Sequence, residues 1–597
     1  MNIKTERIMN RQEADILLAL KKEPFVSQRS LAEASGYALG TVNKALRALL
    51  FEGYLNTDYA LTGHAEGLLA EARPKRAVIL AAGFGMRMVP INMETPKALL
   101  TVKGEPLIER LIRQLHAVKI TDITVVVGFM KERFEYLMDE YGVRLMVAGD
   151  YAAKNNLHSL RCAADRLDGC YIVPGDLWCG ENPFREYELY SWYMVSGRSD
   201  PESNVRVSRT MQLLPVRKRK GEKECGNRMV GIACLTPEIA PLIRARIEAF
   251  CENPAYDGSF WEAVLYEKDR FLLPARLFPD DGVTEINTYE QLRELDRDSE
   301  QLKSGAIAAI ARALQADEGE ISGITALKKG MTNRSFLFTC RGKKYIMRIP
   351  GEGTERLINR RNEAAVYDRI NNLGICDRVV YINPDNGFKI TEFIENARTC
   401  DPDDPDDLAA AMKKLRLFHE KKLKVAHSFD IFGQIDFYES LWEGRPSVFR
   451  DYDRTKAGVF SLRDYISAHA AAACLTHIDA VPDNFLFAEG QEEPCLIDWE
   501  YAGMQDPHVD IAMFCIYAFY DRAQSDRLMD LYFNGSCPME TRIKIYCYMA
   551  ACGLLWSNWC EYKRALGVEF GEYALRQYRY AKDFYRIASG LIGEEGK

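Results

Sequence analysis

Apolar residues in the first 73 positions recur at helical spacing. Ile16, Leu17, Leu18 and Leu20 predict a first helix, and Ser27 or Ser30 is placed to cap a second through Leu31 and Ala32. Gly36 breaks that pattern, and Val42, Ala45, Leu46 and Leu49 put one apolar face on a third helix over 41–50. The run EGYLNTDYALTGHAEGLLAE then predicts a short hairpin and a further helix. After the linker Arg73-Pro74-Lys75 the period changes. AVILAAG is continuously apolar and runs into glycines, and similar runs recur at ITVVVG (123–128), VRLMVAG (143–149) and CYIVPGD (170–176). Buried strands with helices between the first of them predict a doubly wound α/β sheet. The polar stretch TYEQLRELDRDSEQL marks a boundary around 296–303. Beyond it come strand-like pieces (FLFTCRGKKYIMRIP), a helix, a segment ending in the acidic run DPDDPDD, read as a solvated connector, and a helix-rich remainder. The expected domains are 1–73, 75–296 and 304–597, a multidomain α/β and α+β chain without internal repeats.

At 597 residues the chain is too long for one hydrophobic core. A net charge of -8 excludes a surface coated throughout in nucleic acid, but not one small DNA-reading domain. The 16 cysteines form no C-x-x-C pair or zinc spacing, so a reduced, cytoplasmic chain is expected. No apolar stretch is long enough to predict a membrane span; the run from Ile511 to Tyr520 reads as a buried element.

The first candidate chemistry lies where the first buried strand turns into glycines, at Leu80-Ala81-Ala82-Gly83-Phe84-Gly85-Met86-Arg87. Gly83 and Gly85 lack the Cβ that would keep backbone N–H groups from a polyphosphate, Arg87 adds a fork of donors, and Lys97 in Thr95-Pro96-Lys97 supplies a second cation. With Ala82 they resemble the G-x-G-x-R…P-K signature of the sugar-phosphate nucleotidyltransferase superfamily, over residues 75–296. The resemblance implies a Rossmann-like domain that moves a nucleotidyl group from an NTP to a phosphate monoester and releases pyrophosphate. Its Mg²⁺ ligands map to Asp176 and Asn287; a competing reading makes Asn287 a helix cap. KALLTVKGEPLIERLI, VVVGFMKERFEYL and YAAKNNLHSL look closest to bacterial phosphocholine cytidylyltransferases, with CTP as donor. That subgroup places Asn155, Asn156 and Ser159 along the active site. Tyr256, Trp261 and Glu262 suit a trimethylammonium group, which only π faces and negative charge can hold, with core packing as the alternative.

The second candidate is His477-Ile478-Asp479-Ala480-Val481-Pro482-Asp483-Asn484, followed by Asp498 in Leu496-Ile497-Asp498-Trp499-Glu500. The spacing H-x-D-x-x-x-x-N sets a catalytic Asp479 and the Mg²⁺ ligands Asn484 and Asp498 as in kinases that use ATP. Asn333 in Gly330-Met331-Thr332-Asn333 belongs to a phosphate-covering turn, Arg348 to the phosphate-pairing position with Glu363 as ion-pair partner, and Glu392 to Ile394 to an adenine hinge. Residues 304–590 resemble the choline/ethanolamine kinase and aminoglycoside phosphotransferase superfamily, which implies a bilobal kinase-like fold. Trp556, Trp559 and Tyr562 at i, i+3 and i+6, with Trp499 and Glu500, then imply a choline box, against the competing reading of core packing.

The opening segment resembles a MarR-like winged helix-turn-helix, with Thr41, Asn43, Lys44 and Arg47 facing outward on the recognition helix. DNA, another protein surface or a second copy in a homo-oligomer are its candidate partners. The two catalytic resemblances share an intermediate: choline and ATP give phosphocholine, which with CTP gives CDP-choline and pyrophosphate. The residues leave open the same chemistries on ethanolamine or another amino alcohol, or a transcription regulator whose degenerate enzyme domains sense choline or CDP-choline.

Overall fold

The computed structural model describes residues 9–85, 88–91, 95–200, 203–216, 225–268, 270–279, 282–327, 333–351, 354–491, 493–566 and 570–595. Two compact units meet in sequence between Ser304 and Gly305.

The first unit opens with three helices, Arg11–Lys22, Gln28–Ser35 and Leu39–Phe51. Asn10 and Glu13 form a reciprocal capping box on the first, and Ser27, not Ser30, caps the second. Gly36 ends the second helix at φ 71, a left-handed turn that costs glycine nothing. Val42, Ala45, Leu46 and Leu49 are buried against Ile16, Leu17 and Leu20, as their spacing predicts. The hairpin is a single antiparallel bridge, Leu55 to Leu61, before the helix Gly63–Glu71. These helices are tied to the sheet that follows. Leu189 packs into their core, and Asp15 accepts hydrogen bonds from Tyr190 (2.8 Å) and Tyr37 (2.5 Å).

That sheet has seven strands: β1 Arg76–Ala81, β2 Asp122–Val127, β3 Arg144–Val147, β4 Cys170–Pro174, β5 Trp192–Asp200, β6 Gly226–Leu235 and β7 Ala275–Phe278, in spatial order β7-β5-β6-β4-β1-β2-β3. β1 is parallel to both β2 and β4, whereas β6 is antiparallel to β4 and β5. The chain first winds from β1 toward β3 and then returns to β4 on the other side of β1. The carboxyl end of β1 is therefore a topological switch point, where open α/β sheets bind ligands.

The second unit begins with the antiparallel sheet β8 Ile321–Ala326, β9 Asn333–Cys340, β10 Lys343–Pro350, β11 Val379–Ile382 and β12 Lys389–Glu392, in order β8-β9-β10-β12-β11. Helix Arg360–Ile370 crosses between β10 and β11, and a helical remainder is built around the buried helix Met539–Ala565. The run from Ile511 to Tyr520 lies mostly in the helix His508–Tyr517, whose side chains from Val509 to Ile516 are buried. Among the described residues no helix is long and apolar enough to cross a membrane. The acidic run is solvated at Asp401, Asp403 and Asp406, as expected of a connector, but its end belongs to a helix. Asp404 caps the helix Pro405–Glu420, and Asp407 is buried beside Arg398 and the Asp401 N–H, because carboxylates suit the unpaired N–H groups of a helix start.

Candidate functional sites

At the carboxyl end of β1, Ala82 is buried and Gly85 has φ 68, with the Lys97 side chain 3.4 Å from where a Cβ would stand. A side chain there would be strained and would press on Lys97. The Lys97 ammonium bridges Asp176, two residues beyond β4, and the Asn287 Oδ1 at 2.6 Å. Two sequence-assigned residues, 79 and 190 positions from Lys97, thus converge with it on one point. Asn287 caps no helix: Thr288 caps Tyr289–Leu295, which leaves the Asn287 carbonyl oxygen aimed at the cation. Two hard oxygens gathered on a cation-sized point fit a divalent ion such as Mg²⁺. Arg87 lies outside the described residues.

The aromatic wall is corrected in part. Trp261 is completely buried in the core beside Tyr193, and its N–H donates to no partner among the described residues. It fills volume because the short helix Trp261–Leu265 presents an apolar face to the helices Ala240–Cys251 and Asn156–Cys162. Tyr256 is half-buried on Phe250. Asn156 holds this loop by accepting the Trp261 backbone N–H at 2.7 Å, Asn155 caps the helix that carries Asn156, and Ser159 is buried on that same helix.

Glu262 accepts a hydrogen bond from Tyr193 (2.9 Å), and burial pushes its carboxyl up from about 4.5 to about 7. Nearby Gly231 has φ 88, and a Cβ on it would meet Pro174 at 2.6 Å. Folded protein holds the Glu262 proton more tightly than unfolded chain, so this group's contribution to stability falls as pH rises from about 4.5 to about 7. Glu262→Gln should therefore stabilise the protein by roughly 2 kcal/mol at pH 8 and much less at pH 5. Denaturant melts at the two pH values check this, and equal shifts would contradict it.

In the second unit one cavity of about 410 Å³ gathers Asp479, Asn484, Asp498, Glu500, Arg348 and Asn333. Asp479 follows Ile478 at φ 72, a costly conformation for a β-branched residue. Buried Asp510 holds it there, accepting the N–H groups of His477 (3.0 Å) and Ile478 (2.7 Å) while it pairs with His419 Nε2 (2.9 Å). Asn484 Nδ2 donates to the Asp479 carbonyl at 2.8 Å. Burial, then the charges of Asp498 and Glu500, push the Asp479 carboxyl up to about 8. Asp498 itself has φ 65, and the chain turns there so that Asp498 and Glu500 line the cavity while Trp499 points the other way.

Trp499 therefore corrects the choline-box expectation. It is buried against Phe418 and His477, with its N–H donated to the Leu496 carbonyl. Glu500 is a second correction: it lines the cavity, but Arg360 (3.0 Å), Asn333 Nδ2 (2.7 Å) and Arg348 (3.6 Å) surround its carboxylate. Tyr562 is a third. At 100° per residue the stripe from Trp556 to Tyr562 rotates round the helix, and Tyr562 is buried away from the cavity that Trp556 and Trp559 line.

Arg348 and Glu363 form the expected pair, fully buried, with Arg348 Nη2 also on the Gly387 carbonyl at 2.8 Å. The guanidinium groups and Lys389 hold the Glu363 carboxyl down at about 2 against the effect of burial. Glu392 points to Lys343 and Arg378, and Thr391 rather than Glu392 or Ile394 lines the cavity. The turn over 328–332 lies outside the described residues. The sequence reading missed Asp510, Asp377, Lys389, Thr391, Tyr501, Tyr517 and Tyr573. Of these only Tyr501, adjoining the Asp498 motif, carried a usable signal.

On the recognition helix Lys44 and Arg47 are exposed and Thr41 is half-buried. Asn43 corrects the outward-facing expectation, since it is half-buried and its Oδ1 is sealed from water, the result of lying next to Val42 on the helix shoulder.

Three stretches match family models: residues 9–56 the winged helix-turn-helix DNA-binding model, 77–182 the MobA-like NTP transferase domain, and 323–546 the phosphotransferase enzyme family. A choline-phosphate cytidylyltransferase of Streptococcus pneumoniae is 42% identical over 125 residues, 21% of this chain and 55% of that protein. The chain thus spans about half the length of that relative. Protein LicA of Haemophilus influenzae is 27% identical over 262 residues, 42% of this chain and 76% of that protein. A solved structure of choline kinase LicA from Streptococcus pneumoniae, 28% identical, covers 47% of this chain and 96% of its own, with a TM-score of 0.42. In order along the polypeptide, the chain thus matches a winged helix-turn-helix DNA-binding model, a MobA-like NTP transferase model and a phosphotransferase enzyme family model.

Proposed function

We propose that this chain catalyses two consecutive reactions: domain 304–597 phosphorylates choline with ATP, and domain 75–296 transfers CMP from CTP to the resulting phosphocholine, releasing pyrophosphate. The observation that carries the reading is the kinase cavity, where Asp479, Asn484 and Asp498 share one space with the π faces of Tyr501, Tyr517, Trp556, Trp559 and Tyr573. A trimethylammonium group offers no N–H, so aromatic faces suit it and hydrogen-bond acceptors are wasted on it. The carboxylate of Glu500 is already occupied by Arg360 and Asn333, and that of Asp483 accepts from Tyr517 at 2.8 Å. Both favour choline over a primary amine.

In the kinase step Asp479 orients the choline hydroxyl and takes its proton as the oxygen attacks the γ-phosphorus, whose bond to the bridging oxygen breaks to release ADP. Asn484 and Asp498 offer hard oxygens at the same place, a donor set that fits Mg²⁺, which when bound neutralises phosphate charge. Arg348, fixed by Glu363, keeps a positive field at the phosphate end of the cavity. In the cytidylyl step Asp176 and Asn287 would hold Mg²⁺, while Lys97 moves onto the polyphosphate and stabilises charge on the α-phosphate and the leaving pyrophosphate. Gly83, Gly85 and Arg87 would line the phosphate path. Domain 1–73 would meet DNA through Thr41, Lys44 and Arg47. A cytoplasmic location is part of this reading, supported by the 16 unpaired cysteines and the nucleotide substrates.

Incubation with choline, ATP, CTP and Mg²⁺, followed by mass spectrometry, tests the pair of activities. CDP-choline is the expected product, and its absence with both nucleotides intact would overturn the proposal. Trp559→Ala should raise the choline KM at least tenfold with little change in the ATP KM, the loss of one cation–π wall in a desolvated site. An unchanged choline KM would sink the aromatic box.

A further inference from the structure

The kinase cavity has a polar group that neither phosphoryl transfer nor alcohol binding uses. Leu327 and Ile346 from the five-stranded sheet and Ile497 from the segment before Asp498 line it with apolar surface suited to a flat base. Asp377, Lys389 and Thr391 line the same cavity, the first from two residues before β11 and the other two from β12. Lys389 and Thr391, two apart on a strand, share a face. Lys389 is committed elsewhere: its ammonium donates to Tyr367 Oη at 2.7 Å and lies 3.6 Å from Glu363. Asp377 differs. Its Oδ1 is sealed from water and accepts no hydrogen bond from the described residues, so the carboxylate has acceptor capacity unmet by the protein. Burial pushes the Asp377 carboxyl up from the usual carboxylate range, opposed by the ammonium of Lys389 and the hydroxyl of Thr391 beside it.

We propose that Asp377, with Thr391 at its side, reads the 6-position of the purine of the phosphoryl donor, taking an N–H from an exocyclic 6-amino group and rejecting a 6-oxo group. An ionised carboxylate only accepts hydrogen bonds. The 6-amino group of adenine donates, whereas the 6-oxo group of guanine or hypoxanthine would set two acceptors face to face in a site of low dielectric. A buried acceptor left unmatched costs enough for one contact to supply a tenfold or larger preference. The apolar surface accepts any purine, and the acid selects among them.

This rests on the kinase reading, and the test separates the two. The full chain is titrated with ATP and with ITP, which differ at the 6-position and in the proton that N1 of the 6-oxo base carries, in competition with a ribose-labelled fluorescent ADP, and without choline. Wild-type protein should bind ATP at least tenfold tighter than ITP. Asp377→Asn, whose amide can turn an N–H toward a 6-oxo group, should shrink that ratio at least fivefold. Asp377→Ser is the second variant, should the first fail to fold, and must move the ratio the same way. A wild-type ratio below three, or a ratio unmoved in a folded variant, overturns the proposal. Failure of wild-type protein to bind any adenine nucleotide overturns the kinase reading with it. Base selection by Asp377 in a protein that does not phosphorylate choline would sink the choline reading alone.

Discussion

Asp479→Asn is expected to slow phosphorylation of choline by ATP about a thousandfold, with the choline KM moving less than threefold and CMP transfer from CTP at the wild-type rate. The amide keeps the size of the carboxylate, so packing at the loop is undisturbed, but it cannot accept the hydroxyl proton. Everything around Asp479 serves its position: Asp510 accepts the two preceding backbone N–H groups, Ile478 is held at φ 72, and Asn484 ties down the Asp479 carbonyl. The loss should thus appear in kcat, the signature of an interaction made in the transition state. Steady-state kinetics for both half-reactions on the same preparation are the check. A drop of less than tenfold would place the proton acceptor elsewhere, and a parallel loss of CMP transfer would mean the variant is misfolded.

Lys97→Ala should show the mirror image, a loss of two to three orders of magnitude in CMP transfer with choline phosphorylation untouched. The Lys97 ammonium lies between Asp176 and Asn287, and its stem passes against the backbone at Gly85. A polyphosphate arriving at the carboxyl end of β1 competes with those oxygens for the same cation. Removing it leaves the phosphate charge opposite two oxygens that repel it. Lys97→Arg should not rescue, because a planar fork cannot occupy the point where a compact ammonium bridges two oxygens. Pyrophosphate release from CTP and phosphocholine measures the effect, and a variant retaining a tenth of the activity would remove Lys97 from the chemistry.

Both largest effects fall on residues legible in the sequence. Glycines after a continuously apolar strand, with Lys97 a fixed distance on, can be read because a phosphate loop needs its parts close along the chain. The same holds for Asp479, Asn484 and Asp498, set within twenty residues on one loop and just past one short strand. Helix faces such as Val42, Ala45, Leu46 and Leu49 were legible too, since 3.6-residue periodicity is a local property.

What the chain order could not decide was which side of an element each side chain takes. Trp261, Trp499 and Tyr562 have the right chemistry for a choline wall, yet all three are core. For Trp499 the cause is one left-handed residue, Asp498, that sends alternate side chains to opposite sides. For Tyr562 it is the 100° step of the helix, which carries the sixth residue off the face of the first. The partners that make the site work, Asp510 beneath the catalytic loop and Asp377 within the cavity, come from segments with no pattern of their own. Local spacing determined where the phosphate and proton chemistry sits in the chain. Only packing decided which aromatics reach the substrate and which carboxylates remain free, because burial and charge pairing depend on neighbours that are distant in sequence.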